Sequence, residues 1–363
     1  MEINLKKLFK SYYMDSEIYK APLFEKTGIR LYMNENMLAP TDKYKKILTN
    51  INKEELYQYE NGGNKSLIDK IAEKNLVDKN QIIVTAGSAM ALFQIFFSLL
   101  REDDVILLPN PGWSYYKGIA SLMGAKYIKY SLQCNEDEYY FNINSINLEI
   151  KKYNPKIVII TSPNMPTGNK MNIKDIQEIV SNVTNGVVVL DEAYFGFEND
   201  NSENIVSLLE NNNNLLITRT FSKFYGLANA RVGYILGNDQ LINLLKKSSD
   251  LFGISGISQK LAIEALNDNE FYTKMKEKTC DIRDEFIKKV NLETKFTAYK
   301  SQSNFVLINT KNVSSSFIVD DLKKHNYLVR DCITYNLTNH IRITVGKKEY
   351  MNEIFAILKK NSL

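Results

Sequence analysis

The chain has 363 residues, of which 44% are hydrophobic and 24% are charged, so it is long enough to bury a large core or to form two domains. Its formal net charge of +4, from 46 basic and 42 acidic residues, is too small for a nucleic-acid-binding surface. The three cysteines lie far apart and there are two histidines, which argues against a disulfide framework and against a histidine-based metal centre.

The chain shows no targeting or membrane pattern. Its first residues carry charges every few positions and lack an apolar centre, so no signal peptide is predicted. The longest apolar runs, such as 157–160, have the length of a strand and fall far short of the roughly 18 residues of a membrane helix. We therefore expect a cytoplasmic protein with neither a membrane nor a nucleic-acid partner, and with no bound metal.

The first two thirds of the chain alternates short apolar runs with helical patterns. An apolar helix is expected over 89–100, and strands are expected over 82–85, 105–108, 157–161, 187–190, 215–218 and 232–236. Because these runs are unalternated and rich in β-branched residues, they are typical of strands buried on both faces. Strands that alternate with helices predict an α/β fold with a mostly parallel central sheet.

The last third of the chain has a different pattern. A long helix is expected from about Asp268 to Val290, followed by alternating strands over 304–309, 327–330 and 340–345. We expect a large domain over 31–265, a smaller α+β domain over 266–363, and an N-terminal segment, 1–30, that packs on the small domain.

Polar and aromatic residues follow several of the predicted strands. In a mostly parallel sheet, the ligand site lies beyond the carboxyl ends of the strands. We therefore expect one crevice to collect Ser88, Trp113, Asn164, Asp191, Ser222 and Lys223.

The most specific motif surrounds Lys223, which lies within TFSKFYGLANARVGY at 220–234. A lone Ser-Lys pair would more often belong to a surface loop. The whole segment, however, resembles the lysine signature of fold-type I, class I/II aminotransferases, which use pyridoxal 5′-phosphate (PLP). Further motifs follow in the order of that family over nearly the whole chain. The resemblance implies an aspartate-aminotransferase-like fold, with Lys223 holding the cofactor as a Schiff base.

Three residues match the family's contacts to the cofactor ring. Asp191 begins Asp-Glu-Ala-Tyr, and its buried carboxylate would keep the pyridine nitrogen protonated, so that the ring withdraws electrons. By resemblance, Tyr194 donates a hydrogen bond to the phenolic oxygen of the ring. Trp113, the single tryptophan, matches the aromatic that stacks on the ring, although a core tryptophan is the alternative.

The phosphate of the cofactor has its own predicted site. Gly87, Ser88 and Ala89 lie between a strand and a helix start, where backbone N–H groups suit a phosphate. The resemblance adds Ser222 and Arg231 of the lysine segment to the phosphate site, and Thr220 of the same segment is also expected to bind the cofactor. It also implies a tyrosine that reaches the cofactor phosphate of a partner subunit in a homodimer. Spacing favours Tyr59 for this role, with Tyr57 as the alternative.

Three residues are expected to contact substrate. The segment around Asn36 and the Val-Arg-Asp-Cys stretch at 329–332 resemble histidinol-phosphate aminotransferases, and the second also resembles threonine-phosphate decarboxylases. By that resemblance Arg330 contacts a substrate phosphate and Arg342 binds a carboxylate, which the planar guanidinium can meet with two hydrogen bonds. The alternatives are an ion pair of Arg330 with Asp331 or a neighbour, and a solvent-facing Arg342.

The chain departs from the family at three positions. Met165 stands where the family has an asparagine that bonds the ring oxygen, Met37 replaces a proline, and Asn229 replaces a glycine. Methionine cannot supply the lost hydrogen bond, although Asn164, one residue earlier, could compensate. This departure leaves the cofactor prediction intact and the type of reaction open.

The leading hypothesis is therefore an aminotransferase that acts between an amino acid and a small phosphorylated or anionic substrate, with a small-molecule amino donor and acceptor. The alternative is a PLP-dependent decarboxylase or lyase of a phosphorylated amino acid, such as serine or threonine phosphate. Oxidation or cyclisation of an amino acid and a non-catalytic PLP-binding protein are further alternatives.

Overall fold

The structure is a computed structural model that describes residues 5–14, 16, 27–59, 63–199 and 204–362. Within these ranges, seven strands form one large sheet. In spatial order, its strands are Ile82–Thr85, Gly233–Gly237, Leu215–Thr220, Val187–Asp191, Ile157–Thr161, Val105–Asn110 and Lys126–Ser131.

Strand direction in the large sheet brings the strand ends together. Gly233–Gly237 is antiparallel to both of its neighbours, and the other paired strands are parallel. Ile82–Thr85 therefore runs in the same direction as Leu215–Thr220, so six carboxyl ends lie at one edge. The mostly parallel central sheet of an α/β fold, predicted from the sequence, is confirmed.

The sheet is central because its strands are apolar on both faces. Every residue of Ile157–Thr161 and Leu215–Thr220 is buried, and separate apolar cores lie on the two faces of the sheet. The edge strand Lys126–Ser131 was not predicted. It places Lys126 and Lys129 among apolar residues, and most of its side chains are exposed or half-buried, so it lacks the continuous apolar run of a central strand.

Helices cover the faces of the large sheet, and further helices pack on a second, smaller sheet. Those of eight or more residues are Thr41–Thr49, Lys65–Asn75, Ser88–Leu99, Ser114–Leu122, Ile143–Tyr153, Ile173–Asn182, Gly256–Asn267, Asn269–Glu293, Ser315–Lys324 and Lys348–Asn361. Shorter α- and 3₁₀-helical turns are Leu5–Leu8, Ser11–Met14, Glu54–Tyr57, Lys79–Gln81, Ile205–Glu210, Ala228–Ala230, Asp239–Leu245, Lys246–Ser248 and Cys332–Tyr335. No helix in the described ranges is long and apolar enough to cross a membrane.

A second sheet, here called the small sheet, is antiparallel. Its strands in order are Thr297–Ala298, Phe305–Asn309, His340–Thr344 and Arg330–Asp331. The long helix Asn269–Glu293 and the last helix pack on it around a third apolar core. A further pair, Gln133–Cys134 with Tyr139–Tyr140, forms a hairpin beside the large sheet.

A short two-stranded parallel sheet connects the segment near residue 30 with the last third of the chain. Ile29–Arg30 pairs with Tyr327–Leu328, and the backbone N–H of Thr344 donates to the carbonyl of Leu31. The short helix Ser11–Met14 instead packs against Ser114–Leu122, beside the large sheet. Residues 17–26 lie outside the described part, so the packing of segment 1–30 on a small domain and the boundary at 265/266 stay predictions.

Candidate active site

A cavity of about 530 Å³ lies at the carboxyl edge of the large sheet and reaches residues of the small sheet. This volume is within the range of small-molecule sites. Most of the residues predicted from the sequence line it, namely Ser88, Ala89, Trp113, Asp191, Tyr194, Thr220, Ser222, Lys223, Arg231, Arg330 and Arg342.

Lys223 follows the strand Leu215–Thr220 and presents its amine to the cavity. Its Nζ donates to the backbone carbonyl of Met33 at 2.7 Å. Burial, together with the positive charge of Arg342, lowers the pKa of the Lys223 amine to about 8, against a smaller opposing effect of Glu35. The amine is therefore available in its neutral, nucleophilic form much nearer to neutral pH than that of an ordinary lysine.

Asp191, the last residue of its strand, is 1% exposed. One carboxylate oxygen accepts from the Tyr116 hydroxyl at 2.6 Å, and the other accepts from the Thr218 hydroxyl and the Ala193 N–H at 3.2 and 3.1 Å. Burial raises the pKa of Asp191, and the hydrogen bonds from Tyr116 and Thr218 oppose that shift. A cationic ring nitrogen in the cavity would complete the charge balance of this carboxyl.

The amino end of the helix Ser88–Leu99 and two residues of the lysine segment form a polar cradle. Gly87 precedes the helix with φ at +85°, and a Cβ there would lie 2.3 Å from the Arg231 guanidinium. Arg231 donates to the Ser222 hydroxyl at 3.2 Å. The free N–H groups of a helix start beside an arginine and a hydroxyl are suited to a phosphate.

Aromatic residues form the wall between these groups. Trp113 lines the cavity and packs edge-on against Tyr116, with ring centroids 5.6 Å apart. Tyr194 is 6% exposed and packs edge-on against Phe305 of the small sheet, and its hydroxyl accepts from the Asn34 side chain at 2.8 Å. Burial raises the Tyr194 pKa to about 12, so its hydroxyl stays protonated at neutral pH.

Two arginines form the side of the cavity contributed by the small sheet. Arg330 and Arg342 are direct partners on adjacent antiparallel strands, which places their Cβ atoms about 5 Å apart. The Nε atom of each is buried and has no hydrogen-bond partner within the described residues. Like charges at such a position are unfavourable unless an anion lies between them, so this side is suited to a carboxylate or phosphate.

The alternative interpretations of these arginines find no support in the geometry. The Asp331 carboxylate accepts from the Ile333 N–H and the Ser315 hydroxyl, while Arg330 donates to the Thr334 hydroxyl. Arg342 is 4% exposed and donates to the backbone carbonyl of Tyr32 at 2.6 Å, so it does not face solvent.

Two of the predicted contacts need correction. Asn36 was expected to contact substrate, but it does not line the cavity, because its Nδ2 donates to the carbonyl of Phe224. Asn34, two residues earlier, faces the cavity instead. Asn164 was expected to contact the cofactor, but its Nδ2 donates to the Pro111 carbonyl and the Thr167 hydroxyl, and Met165 takes the cavity-facing position.

The remaining predicted positions lie at or beyond the rim. Tyr59 is 76% exposed and stacks on Phe252, with centroids 4.2 Å apart, and it does not line the cavity of its own chain. Tyr57 is also exposed. Asn229 lies at the exposed rim, whereas Met37 packs against the core of the small sheet.

The sequence interpretation missed several residues of the site. Tyr116 lies three positions after Trp113, on the first turn of Ser114–Leu122, and helical spacing could have placed both on the sheet-facing side. Tyr335 packs beside both arginines, with its ring centroid 5.9 Å from each guanidinium carbon. Nothing in the local sequence distinguishes Tyr32 or Tyr335 from the other tyrosines of the chain.

The donor set fits PLP in each of its parts. A buried carboxyl is available for the ring nitrogen, a protonated tyrosine for the ring oxygen, an indole for the ring face, an amine of lowered pKa for the aldehyde and a cradle for the phosphate. Among the described residues there is no cluster of three or more side chains that could hold a metal ion.

Comparison with known proteins agrees with this fit. The fold is that of fold-type I PLP-dependent transferases. A histidinol-phosphate aminotransferase from Sinorhizobium meliloti, solved in complex with pyridoxal 5′-phosphate, superposes with a TM-score of 0.82 at 22% identity, covering 93% of this chain and 91% of that one. An L-threonine-O-3-phosphate decarboxylase from Porphyromonas gingivalis superposes with a TM-score of 0.79 at 21% identity, covering 92% and 99%.

The chain belongs to the family of class I and II aminotransferases, whose family model matches residues 27–358. It is 32% identical over 333 residues to the histidinol-phosphate aminotransferase of Listeria innocua, with 91% of each chain covered. The family membership predicted from the lysine signature is confirmed.

Proposed function

We propose that this enzyme is a PLP-dependent aminotransferase that exchanges an amino group between an amino acid and a small phosphorylated substrate. The observation that carries the proposal is the meeting, in one cavity, of the Lys223 amine and the Asp191 carboxyl with the opposed pair Arg330 and Arg342. The curated relatives are named for histidinol phosphate, which is therefore the first substrate to test.

The proposed role of each residue follows from its position in the cavity. When bound, PLP supplies an electron-withdrawing ring that acidifies the substrate Cα–H bond. Asp191 holds the ring nitrogen in its charged form, and the Ser88 and Arg231 cradle holds the phosphate. Lys223, whose pKa is lowered to about 8, has a larger neutral fraction near neutral pH than an ordinary lysine and would accept and return the substrate Cα proton at its Nζ atom.

The arginine pair orients the substrate. Arg342 is buried and held by the Tyr32 carbonyl, so its remaining N–H groups can hold a carboxylate in a defined plane. Arg330 lies beside it and is positioned for a second anionic group, the phosphate of an amino phosphate. An amino acid with an acidic side chain, as amino donor, can use the same two cations.

We further propose that the working unit is a cytoplasmic homodimer. The support for a dimer is a group of exposed apolar residues, in which the rings of Tyr59 and Phe252 stack on each other and Leu56, Tyr57 and Leu251 are near in sequence. Tyr59 is 76% exposed and does not line the cavity of its own chain, so its ring is accessible to a partner subunit. Sedimentation of the PLP-loaded protein tests this, and a monomer that retains full activity would contradict it.

The reaction is tested with PLP-loaded enzyme, mixed with single amino acids and amino phosphates in the absence of any keto acid. Conversion of the absorbance of lysine-linked cofactor to that of aminated cofactor identifies an amino donor and supports transamination. Steady release of CO₂ without that conversion would replace the proposal with a decarboxylase. This comparison is necessary because Met165 lines the cavity at the position where the family has an asparagine, and methionine donates no hydrogen bond.

A further inference from the structure

Met165 leaves one side of the cavity short of hydrogen-bond donors. Its side chain lines the cavity, is 7% exposed, and packs with Tyr194 and Phe305. A thioether donates no hydrogen bond. Asn164 cannot replace the missing amide, because its own Nδ2 already donates to the Pro111 carbonyl and to the Thr167 hydroxyl. Any acceptor atom bound against Met165 and Tyr194 therefore depends on the Tyr194 hydroxyl.

A buried asparagine determines how that hydroxyl can act. Asn34 is 1% exposed and has φ at +55°, in the left-handed region that asparagine tolerates. Its backbone N–H donates to the Thr344 hydroxyl at 3.0 Å, and that hydroxyl donates to Asn34 Oδ1 at 3.3 Å. The Asn34 Nδ2 group consequently faces Tyr194 and donates to its hydroxyl at 2.8 Å.

The direction of this hydrogen bond has a chemical consequence. Because the Tyr194 oxygen accepts from Asn34, its own proton must point elsewhere, and the open direction is the cavity that Tyr194 lines. An acceptor in place of Asn34 would draw the phenolic proton away from the cavity. The orientation is set by a contact between two residues that lie 160 positions apart in sequence.

We propose that Asn34 is the positioning residue that offsets the loss of an amide at position 165: by donating to Tyr194, it makes the Tyr194 hydroxyl a donor toward the ring oxygen of the bound cofactor. This inference rests on the proposed function, because it requires PLP in the cavity. Asn34 acts through Tyr194 and does not itself contact the cofactor.

The test is a double-variant cycle on PLP-loaded enzyme, followed by the pH dependence of visible absorbance rather than by turnover. Asn34→Gly removes the amide while keeping the left-handed backbone, and Tyr194→Phe removes the hydroxyl. A donor to the ring oxygen stabilises the deprotonated lysine–cofactor linkage, in which that oxygen carries an uncompensated negative charge. Each single variant should raise the pKa of the linkage by about one pH unit.

The double variant distinguishes positioning from a general structural role. If Asn34 acts through the Tyr194 hydroxyl, Asn34→Gly causes no further shift in the Tyr194→Phe background. Additive shifts, or a shift with Tyr194→Phe and none with Asn34→Gly, would overturn the inference. Asn36→Ala is the matched control, since it removes an asparagine from the same segment that does not contact Tyr194. It should leave the pKa of the linkage unchanged, and a shift equal to that of Asn34→Gly would also count against the role.

The outcomes separate this inference from the proposed function. A wild-type protein that shows no lysine-linked absorbance with PLP would overturn both. A protein that shows the absorbance, with Asn34→Gly titrating like wild type, would overturn the role of Asn34 and leave the aminotransferase proposal standing.

Discussion

The two sides of the cavity are built on opposite electrostatic principles. On the large-sheet side, the Asp191 carboxylate accepts three hydrogen bonds from protein groups and sits in a closed polar network. On the small-sheet side, Arg330 and Arg342 lie side by side on adjacent strands, and their buried Nε atoms have no hydrogen-bond partner among the described residues. The large-sheet side, proposed to bind the cofactor, is thus preorganised by the protein, whereas a bound anion would balance the charges of the small-sheet side, proposed to bind substrate.

The largest expected effect comes from removing Lys223, the residue proposed to bind the cofactor covalently. Lys223→Ala should abolish the visible absorbance of lysine-linked cofactor and lower turnover by at least about 10³-fold, because the nucleophile and the base are lost together. An absorbance titration with PLP measures the first effect. Lys348→Ala, which removes an exposed lysine paired with Glu285, should behave like wild type. A persisting band in Lys223→Ala would rule out the assignment.

A smaller effect is expected on the small-sheet side, where the Nε atoms of Arg330 and Arg342 have no hydrogen-bond partner among the described residues. Arg330→Ala should raise the KM for a phosphorylated substrate by roughly 10- to 100-fold, the value of a charged hydrogen bond, and leave cofactor affinity unchanged. Steady-state kinetics with a phosphorylated substrate and its unphosphorylated analogue measure the difference. Arg330→Lys keeps the charge but loses the planar fork, so it should fall between the two. Equal losses for both substrates would remove the phosphate assignment.

In addition to burial, charged residues beside the cavity change the pKa of the Lys223 amine, which Arg342 lowers and Glu35 raises. Since that pKa is lowered to about 8, the rate at which cofactor-free enzyme attaches PLP should be constant above it and fall about tenfold per pH unit below it. Arg342→Gln removes a neighbouring positive charge and should move the midpoint up, whereas Glu35→Gln should move it down. Rapid mixing at a series of pH values measures the midpoint, and a value near 10.5 would contradict the burial argument.

The smallest expected effect concerns position 165, beside the proposed position of the cofactor ring. Met165→Asn should lower the pKa of the lysine–cofactor linkage by about one pH unit, because a second donor joins Tyr194 at the ring oxygen. It should also reduce the shift caused by Asn34→Gly. The pH titration of visible absorbance measures both. A linkage pKa unchanged by Met165→Asn would mean that position 165 does not reach the ring oxygen.

Much of the cofactor side could be predicted because its residues follow strand ends. The strands ending at Thr85, Thr161, Asp191 and Thr220 each begin with an apolar run, and a parallel sheet brings their ends to one edge. The roles of the residues came from motif resemblance and remain proposals. The edge strand Lys126–Ser131 escaped prediction because its lysines hide the pattern of a buried strand.

The corrected site predictions, Asn36 and Asn164, lie in segments where side chains one or two positions apart point in different directions. In the segments around Asn34 and Asn164, the sequence offers candidates within two residues of each other. Which side chain faces the cavity depends on backbone conformation and on distant partners. Asn34 is turned inward by a left-handed backbone and Thr344, while Asn164 is held in its loop by Pro111 and Thr167.

By itself, the sequence determined the family of this protein, its parallel sheet and the lysine at its centre, because those features follow from continuous apolar runs and a specific local motif. The tertiary structure alone decided that Arg330 opposes Arg342 and that Asn34 donates to Tyr194. Both arrangements depend on pairing between distant segments, and the direction of a hydrogen bond across 160 residues has no local signature.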